Sequence, residues 1–374
     1  MPVATKSACF SAGPSAFTRL RQSISSIAFL SASVAAPAMA ADFSVSTELQ
    51  LRDAIIAANA SPDASSTITV TSNIIITDPA SLPASTKALT ISAGPGINGV
   101  NAITTTGSGG NALILSGPNI TLAGNITAGS AATASSNAAG GVAVIVNGGA
   151  ATNSGTITGG EGGRRTFSNG APYGTGIGGD AVQINAASTF TNSGTIVGGR
   201  GGIYNAELEP HNTVNSNLGF GAIGVRGTAG SNLVNNGSIT GGTGGSTINF
   251  TTLGDNLFAG VGGTGATLIG GNHINNGQIS GGMGGLGANF GSGSGHGAGG
   301  VGISLTGGAV MENSAAGTIR AANGIAGGGG PVGGGSHGGN AAVLDNATLI
   351  NLGSVTGGNT ARTAGSFEGV GFGV

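Results

Sequence analysis

Short apolar runs of strand length recur along the chain, each with glycine close on its N-terminal side: Val142–Val146, Ala181–Ile184, Ala266–Ile269, Val301–Leu305 and Ala342–Leu344. Runs this short, with turn punctuation on both sides, read as β-strands rather than helices. Behind each run comes a second signal, Asn-x-Gly-x-Ile-x-Gly-Gly-x-Gly-Gly. It begins at Asn153, Asn192, Asn235 and Asn275, with looser copies at Asn313 and Asn351 and a degenerate one at Gly124–Gly129. From Gly155 to Gly353 the motif glycines are 39, 43, 40, 40 and 36 residues apart. A glycine-rich insert follows each motif, and most inserts carry one aromatic: Phe167, Tyr204, Phe250, Phe290 or Phe367.

A unit of two or three short strands cannot bury an apolar face alone, but stacked on copies of itself it can. The repeat therefore predicts a solenoid with parallel strands about 4.8 Å apart. Ile157, Ile196, Ile239, Ile279, Ile319 and Val355 should form one inward ladder. Val144, Ile184, Leu268, Ile303 and Leu344 are candidates for a second. Asn153, Asn192, Asn235, Asn275, Asn313 and Asn351 fall where the chain should turn. Asparagine tolerates the left-handed conformation there, and stacked amides can bond along the ladder. The glycines after each Ile are expected to supply the remaining tight corner.

The N-terminal third carries a different pattern. Leu51, Ala54, Ile55 and Ala58 have helical spacing behind a Ser46–Glu48 start, and Pro62 follows the end. Alternating β-branched runs come next at Thr67–Val70, Ile74–Thr77 and Leu89–Ile91. The pattern predicts a short helix capping the first coil, whose strand edges would otherwise be bare.

Composition narrows the function. Seventy-nine of 374 residues are glycine, 11 are proline, 6% are charged and none is tryptophan. Collagen would need glycine at every third position, and no such frame exists. Eleven Lys+Arg against 13 Asp+Glu give no basic surface for nucleic acid. Lys6, Arg19 and Arg21 precede an apolar stretch from Ile24 to Ala36, then Pro37 and the A-x-A site Ala38–Ala40, the layout of a secretory signal. Cleavage would leave a mature chain starting at Ala41. Removing those three basic residues takes the formal net charge from −2 to −5. The lone cysteine, Cys9, would leave with the signal, so disulfide and thiolate metal sites are not expected. The expected organisation is a signal over 1–40, an N-terminal cap and first coils over 41–110, and a glycine-rich repeat over 111–374.

The stretch from Glu48–Asn59 through Thr67–Val70, Ile74–Ile76 and Leu89–Ile91 resembles the N-terminal part of right-handed parallel β-helix proteins of the pectin-lyase-like class. With the signal and the repeats, the chain resembles an autotransporter passenger domain from a Gram-negative bacterium. The resemblance implies an all-β, right-handed parallel β-helix, exported to the cell surface or outer membrane, or periplasmic without a translocator. It implies adhesion or surface-structural display, with host or neighbouring-cell surfaces or glycans as partners. The family's C-terminal translocator barrel needs long alternating strands with aromatic girdles, and Gly365–Val374 reads instead as glycine-rich insert.

The class also contains polysaccharide lyases and hydrolases, activities that use clustered carboxylates. Asp180, Glu207, Glu209, Asp255, Glu312 and Asp345 are scattered, and only Glu207 and Glu209 are close. Paired-carboxylate catalysis needs two acids converging on a cleft. A calcium repeat needs tandem G-G-x-G-x-D, and Gly176–Asp180 occurs once. His296 and His337 hold similar places before glycine groups, whereas His211 and His273 do not share them. A stacked metal site would need more ligands. Arg164 and Arg165 form a basic pair suited to an acidic sugar or phosphate, or to plain solvation. The aromatics of successive inserts suit either sugar stacking or anchoring of the inserts. No catalytic, cofactor or metal residue is assigned, and the binding residues stay open. The alternatives to a display rod are a secreted polysaccharide enzyme and a glycine-rich structural matrix protein.

Overall fold

The computed structural model describes residues 41–101, 107–132, 138–164, 175–205, 216–248, 257–287, 295–325 and 336–360. The signal region 1–40 lies outside them. The described residues belong to one compact unit, Ala38–Val374. They form an all-β parallel β-helix, every paired strand running parallel to its neighbour.

Each full coil has three short strands, and like strands stack into three faces. The first face runs from Leu113–Leu115 through Val144–Val146, Val182–Ile184, Val225–Gly227, Ala266–Ile269 and Ile303–Thr306 to Ala342–Asp345. The second starts at Ala41–Val45 and ends at Thr348–Asn351. The third runs from Ile74–Ile76 to Ser354–Thr356.

The inward ladders carry the core. Ile157, Ile196, Ile239, Ile279 and Ile319 stack in register and are fully buried, as their spacing predicts. The column continues upstream through Ile126, which lies in the degenerate motif copy, and through Ile97 and Ile74, which the motif does not mark. The proposed second ladder splits in two. Val144 and Ile303 belong to a column with Val182, Val225, Ala266 and Ala342. Ile184, Leu268 and Leu344 belong to the column of Val146, Gly227 and Leu305. Both point inward because they sit two residues apart on each strand. On the second face, Ala151 lies under Phe190, and Leu233 above it. The small residue makes room for the large one, which is fully buried.

The motif asparagines are strand residues, not left-handed corners. Among the described residues only Ala187 and Asn346 have positive φ without being glycine. Asn153, Asn192, Asn235, Asn275 and Asn313 are fully buried. They continue an inward column that Ile68, Ile91 and Leu122 begin. A buried amide needs partners, and the stack supplies them: each Nδ2 donates to the next Oδ1 at 2.7–2.9 Å, from Asn153 to Asn351. The same Oδ1 atoms of Asn153, Asn192 and Asn235 also accept from the N–H two residues on, closing an Asx turn.

The motif glycines likewise do something other than turn. After the third face the chain leaves the triangular core, and it returns from the insert along a second glycine leg. The two legs of successive coils interleave. Gly179 N–H donates to Gly160 O, Gly199 to Gly179, Ala222 to Gly199, Gly242 to Ala222 and Gly263 to Gly242, all at 2.7–2.9 Å. This alternating column runs from Val100 to Gly358. A second set joins like legs, as Gly159 N–H to Val197 O and Gly162 N–H to Arg200 O. Bonding and burial both repeat every three residues, the period of an extended threefold helix of the polyproline II kind. The result is a two-layer slab of backbone beside the core. Glycine is required by close approach: a Cβ at Gly242 would lie 1.9 Å from Gly199 O. In the alternating column, Ala222 and Ala322 are buried places where one methyl is accommodated.

A helix, Glu48–Ala60, closes the N-terminal end and buries Leu51, Ala54, Ile55 and Ala58, as predicted. Thr47 caps it by accepting from Gln50 N–H, while the Gln50 side chain accepts from Ser46 N–H. Glu48 ties the helix to the first coil, accepting from the Thr77 N–H and hydroxyl and from Asp78 N–H.

Candidate functional site

The slab determines what the rod can present. In each threefold leg two residues of three face backbone, so one side chain in three points out. On one layer those positions are Ser130, Glu161, Arg200, Thr243, Met283 and Asn323, with Arg164 and Leu286 one turn further along. Glu161 and Arg164 are three residues apart and form an exposed ion pair at 3.6 Å, as the period requires. On the other layer the outward row is Ala139, Ile177, Phe220, Val261, Ala298 and His337, consecutive coils being joined by bonds such as Gly178 N–H to Phe220 O. Ile177 and Phe220 are about half exposed. The lattice keeps glycine inside and sets a variable residue outside. The variable x of the GG-x-GG motif is its sequence signature, which the motif reading passed over.

Among the described residues, the acids Asp180, Glu312 and Asp345 do not converge. Asp180 is bound within the rod: its carboxylate accepts from Ile223 N–H at 3.1 Å and pairs with Arg226 Nε at 2.5 Å. It braces two adjacent coils. Glu312 and Asp345 are exposed on different faces. Glu207, Glu209, Asp255, His211, Arg165 and the aromatics Phe167, Phe250, Phe290 and Phe367 lie outside the described residues, as does the side chain of Tyr204. Backbone of the inserts stacks where it is described: Tyr204–Asn205 pairs with Thr247–Ile248, and Ser216–Asn217 with Leu257–Phe258.

The histidines do not line up. Gly262 N–H bonds Ala298 O and Gly299 N–H bonds His337 O, so His337 follows Ala298 in the row rather than His296. His296 accepts from Gly287 N–H through Nδ1, and burial lowers its pKa. His273 is buried in the core. Gly176–Asp180 is slab, its glycines packed against backbone. Among the described residues no three His, Cys, Asp or Glu side chains cluster as metal ligands.

A shallow cavity of about 480 Å³ lies beside the first coils, lined by Asn73, Ile75, Asn98, Val100, Asn101 and Ser130. Its polar groups partly satisfy each other: Asn98 donates to Asn73, and Asn101 Oδ1 accepts from Ser130 N–H at 2.7 Å. It holds amides and no titratable group, a lining suited to hydrogen bonding rather than proton transfer. No helix of the described residues is long and apolar enough to cross a membrane. No protein-family model, curated protein or solved structure matches the chain.

Proposed function

We propose that the chain is an exported, passenger-type β-helix that displays side chains and inserts at a cell surface, for adhesion or surface structure, without catalysis. The observation that carries this reading is the slab. It sets out variable residues, Glu161, Arg200, Thr243, Met283 and Asn323, at equivalent places on successive coils over a constant backbone. Such a surface makes many weak contacts in series, and linked weak contacts add into avidity. The export half of the reading rests on the signal-like layout of residues 1–40. Glycans or the surfaces of neighbouring or host cells are the partners this reading names.

Expression of the full chain in a Gram-negative host tests it. The expected result is processing to Ala41, recovery outside the cytoplasm and retention on cells or on a glycan array. A cytoplasmic protein that keeps Met1 would refute export. Turnover of a polysaccharide in a reducing-sugar or lyase assay would replace display with catalysis.

A further inference from the structure

One coil of the second face is joined to its neighbour differently from the rest. Thr189–Asn192 pairs with Asn232–Asn235 along four residues, but Asn232–Asn235 pairs with Asn272–Asn275 along only two, Val234 with Ile274 and Asn235 with Asn275. The connection into that strand differs too. Gly227 pairs with Leu268 and Val234 with Ile274, so the link from the first to the second face is one residue shorter in the later coil. It turns through Gly270 and Gly271, both at positive φ (59° and 79°). The next link, from Leu305 to Val310, is back to full length.

Two side chains repair the gap. Asn232 Oδ1 accepts from Asn272 N–H at 3.1 Å, and His273 Nδ1 accepts from Leu233 N–H at 3.2 Å. His273 Nε2 donates to Gly270 O at 2.7 Å, which specifies the neutral ring with its proton on Nε2. The ring is 2% exposed and sits in the inward column between Leu233 and Met311. Beside it, Ser231 Oγ is buried without a partner.

We propose that this joint is an acid-opened hinge: protonating His273 removes the acceptor of Leu233 N–H and uncouples the coil at Asn232–Asn235 from the coil at Asn272–Asn275. A proton on Nδ1 would face the Leu233 N–H with no acceptor between them. The charge has no counter-ion among the described residues either. Of the elements packed against the ring, only Val310–Asn313 carries a titratable group, Glu312, and it is exposed on the opposite side of that strand. On the other two faces Arg226 and Arg320 also occupy outward positions. The charged ring therefore leaves for solvent, and the Gly270–Gly271 link lets its strand follow.

Sign and window follow from the shift. Burial lowers the His273 pKa below 6.5, outweighing the opposing bond to Gly270. The unfolded or opened ring binds its proton first, so the joint is intact above about 6.5 and weakens as pH falls below it. Amide exchange of the full-length protein, corrected for intrinsic rate, tests this between pH 7.5 and 5. Exchange in peptides 225–240 and 266–280 should rise about tenfold for each pH unit below 6.5, while peptides around Ile157 and Ile319 stay protected. The melting temperature should fall over the same range, and His273→Leu should remove most of that fall while His296→Gln keeps it. Uniform exchange along the rod, or an unchanged acid fall in a folded His273→Leu protein, would overturn the hinge.

Discussion

The Asn192 side-chain amide donates to the Asn235 carbonyl oxygen at 2.9 Å, joining two coils 43 residues apart through a pair of fully buried groups. Asn192 Nδ2 also reaches Gly194 O and Ser238 O, and Asn235 repeats the pattern with Gly237 and Gln278. One amide thus serves its own turn, the next coil and the next amide. An aliphatic residue there would leave the N–H of the Asx turn and the oxygen of its neighbour unpaired.

Asn235→Ala should destabilise the rod by about 1–3 kcal/mol for each polar group it orphans, more than one being affected. Asn351→Ala, at the exposed end of the ladder, should cost far less. Urea melts of the two variants decide it, since equal losses would show that stacking along the ladder contributes nothing.

The slab makes a contrasting pair of adjacent residues. Gly242→Val places its branched side chain against Gly199 O, where even a Cβ comes to 1.9 Å. Overpacking of that kind costs about 1–3 kcal/mol or more. Thr243→Val, one residue on and exposed, should stay within about 0.5 kcal/mol. Thermal melts of both would reject the threefold packing if Gly242→Val were neutral.

Among the described residues Phe190 is the largest fully buried side chain. Phe190→Ala removes it from between Ala151 and Leu233 and should cost about 3–5 kcal/mol. Replacing Ala151 with Leu in the same protein should recover part of that loss. A denaturant series that shows no recovery would mean the two sites do not share one volume.

Glu48 gives the cap its own acid dependence. Burial raises the pKa of this carboxyl, but the donors from Thr77 and Asp78 and the Arg52 guanidinium outweigh it, leaving the pKa below 4.5. A group depressed in the fold contributes stability above its unfolded pKa and loses it as pH falls through the folded one. The contribution of Glu48 should therefore be lost progressively as pH falls below about 4.5, whereas the His273 joint begins to weaken already below about 6.5. Glu48→Gln should weaken the cap at neutral pH and flatten this lower transition, read by amide exchange over Glu48–Ala60.

The solenoid was legible because its signals are local and repeated. An apolar residue at the same place in every unit must stack on its copies, so Ile157 to Ile319 needed no coordinates. The helix was legible from Leu51, Ala54, Ile55 and Ala58, a spacing that only a helix brings to one side. The candidate surface was legible only as variability inside GG-x-GG, because nothing in one chain marks which third of a glycine leg faces out.

What the sequence by itself determined is the period, the parallel stacking, the capped end and the identity of the main ladder. The tertiary structure alone decided what the asparagines and glycines do. Asparagine has the same local preference for turns whether exposed or buried, and only a neighbour one coil away converts it into a strand residue with satisfied amides. Glycine permits many conformations, and only the approach of a second leg within hydrogen-bond distance makes the missing side chain a requirement. His273 follows the same logic: nothing in the motif marks it, and a side chain that fills a gap in the ladder exists only where two coils meet.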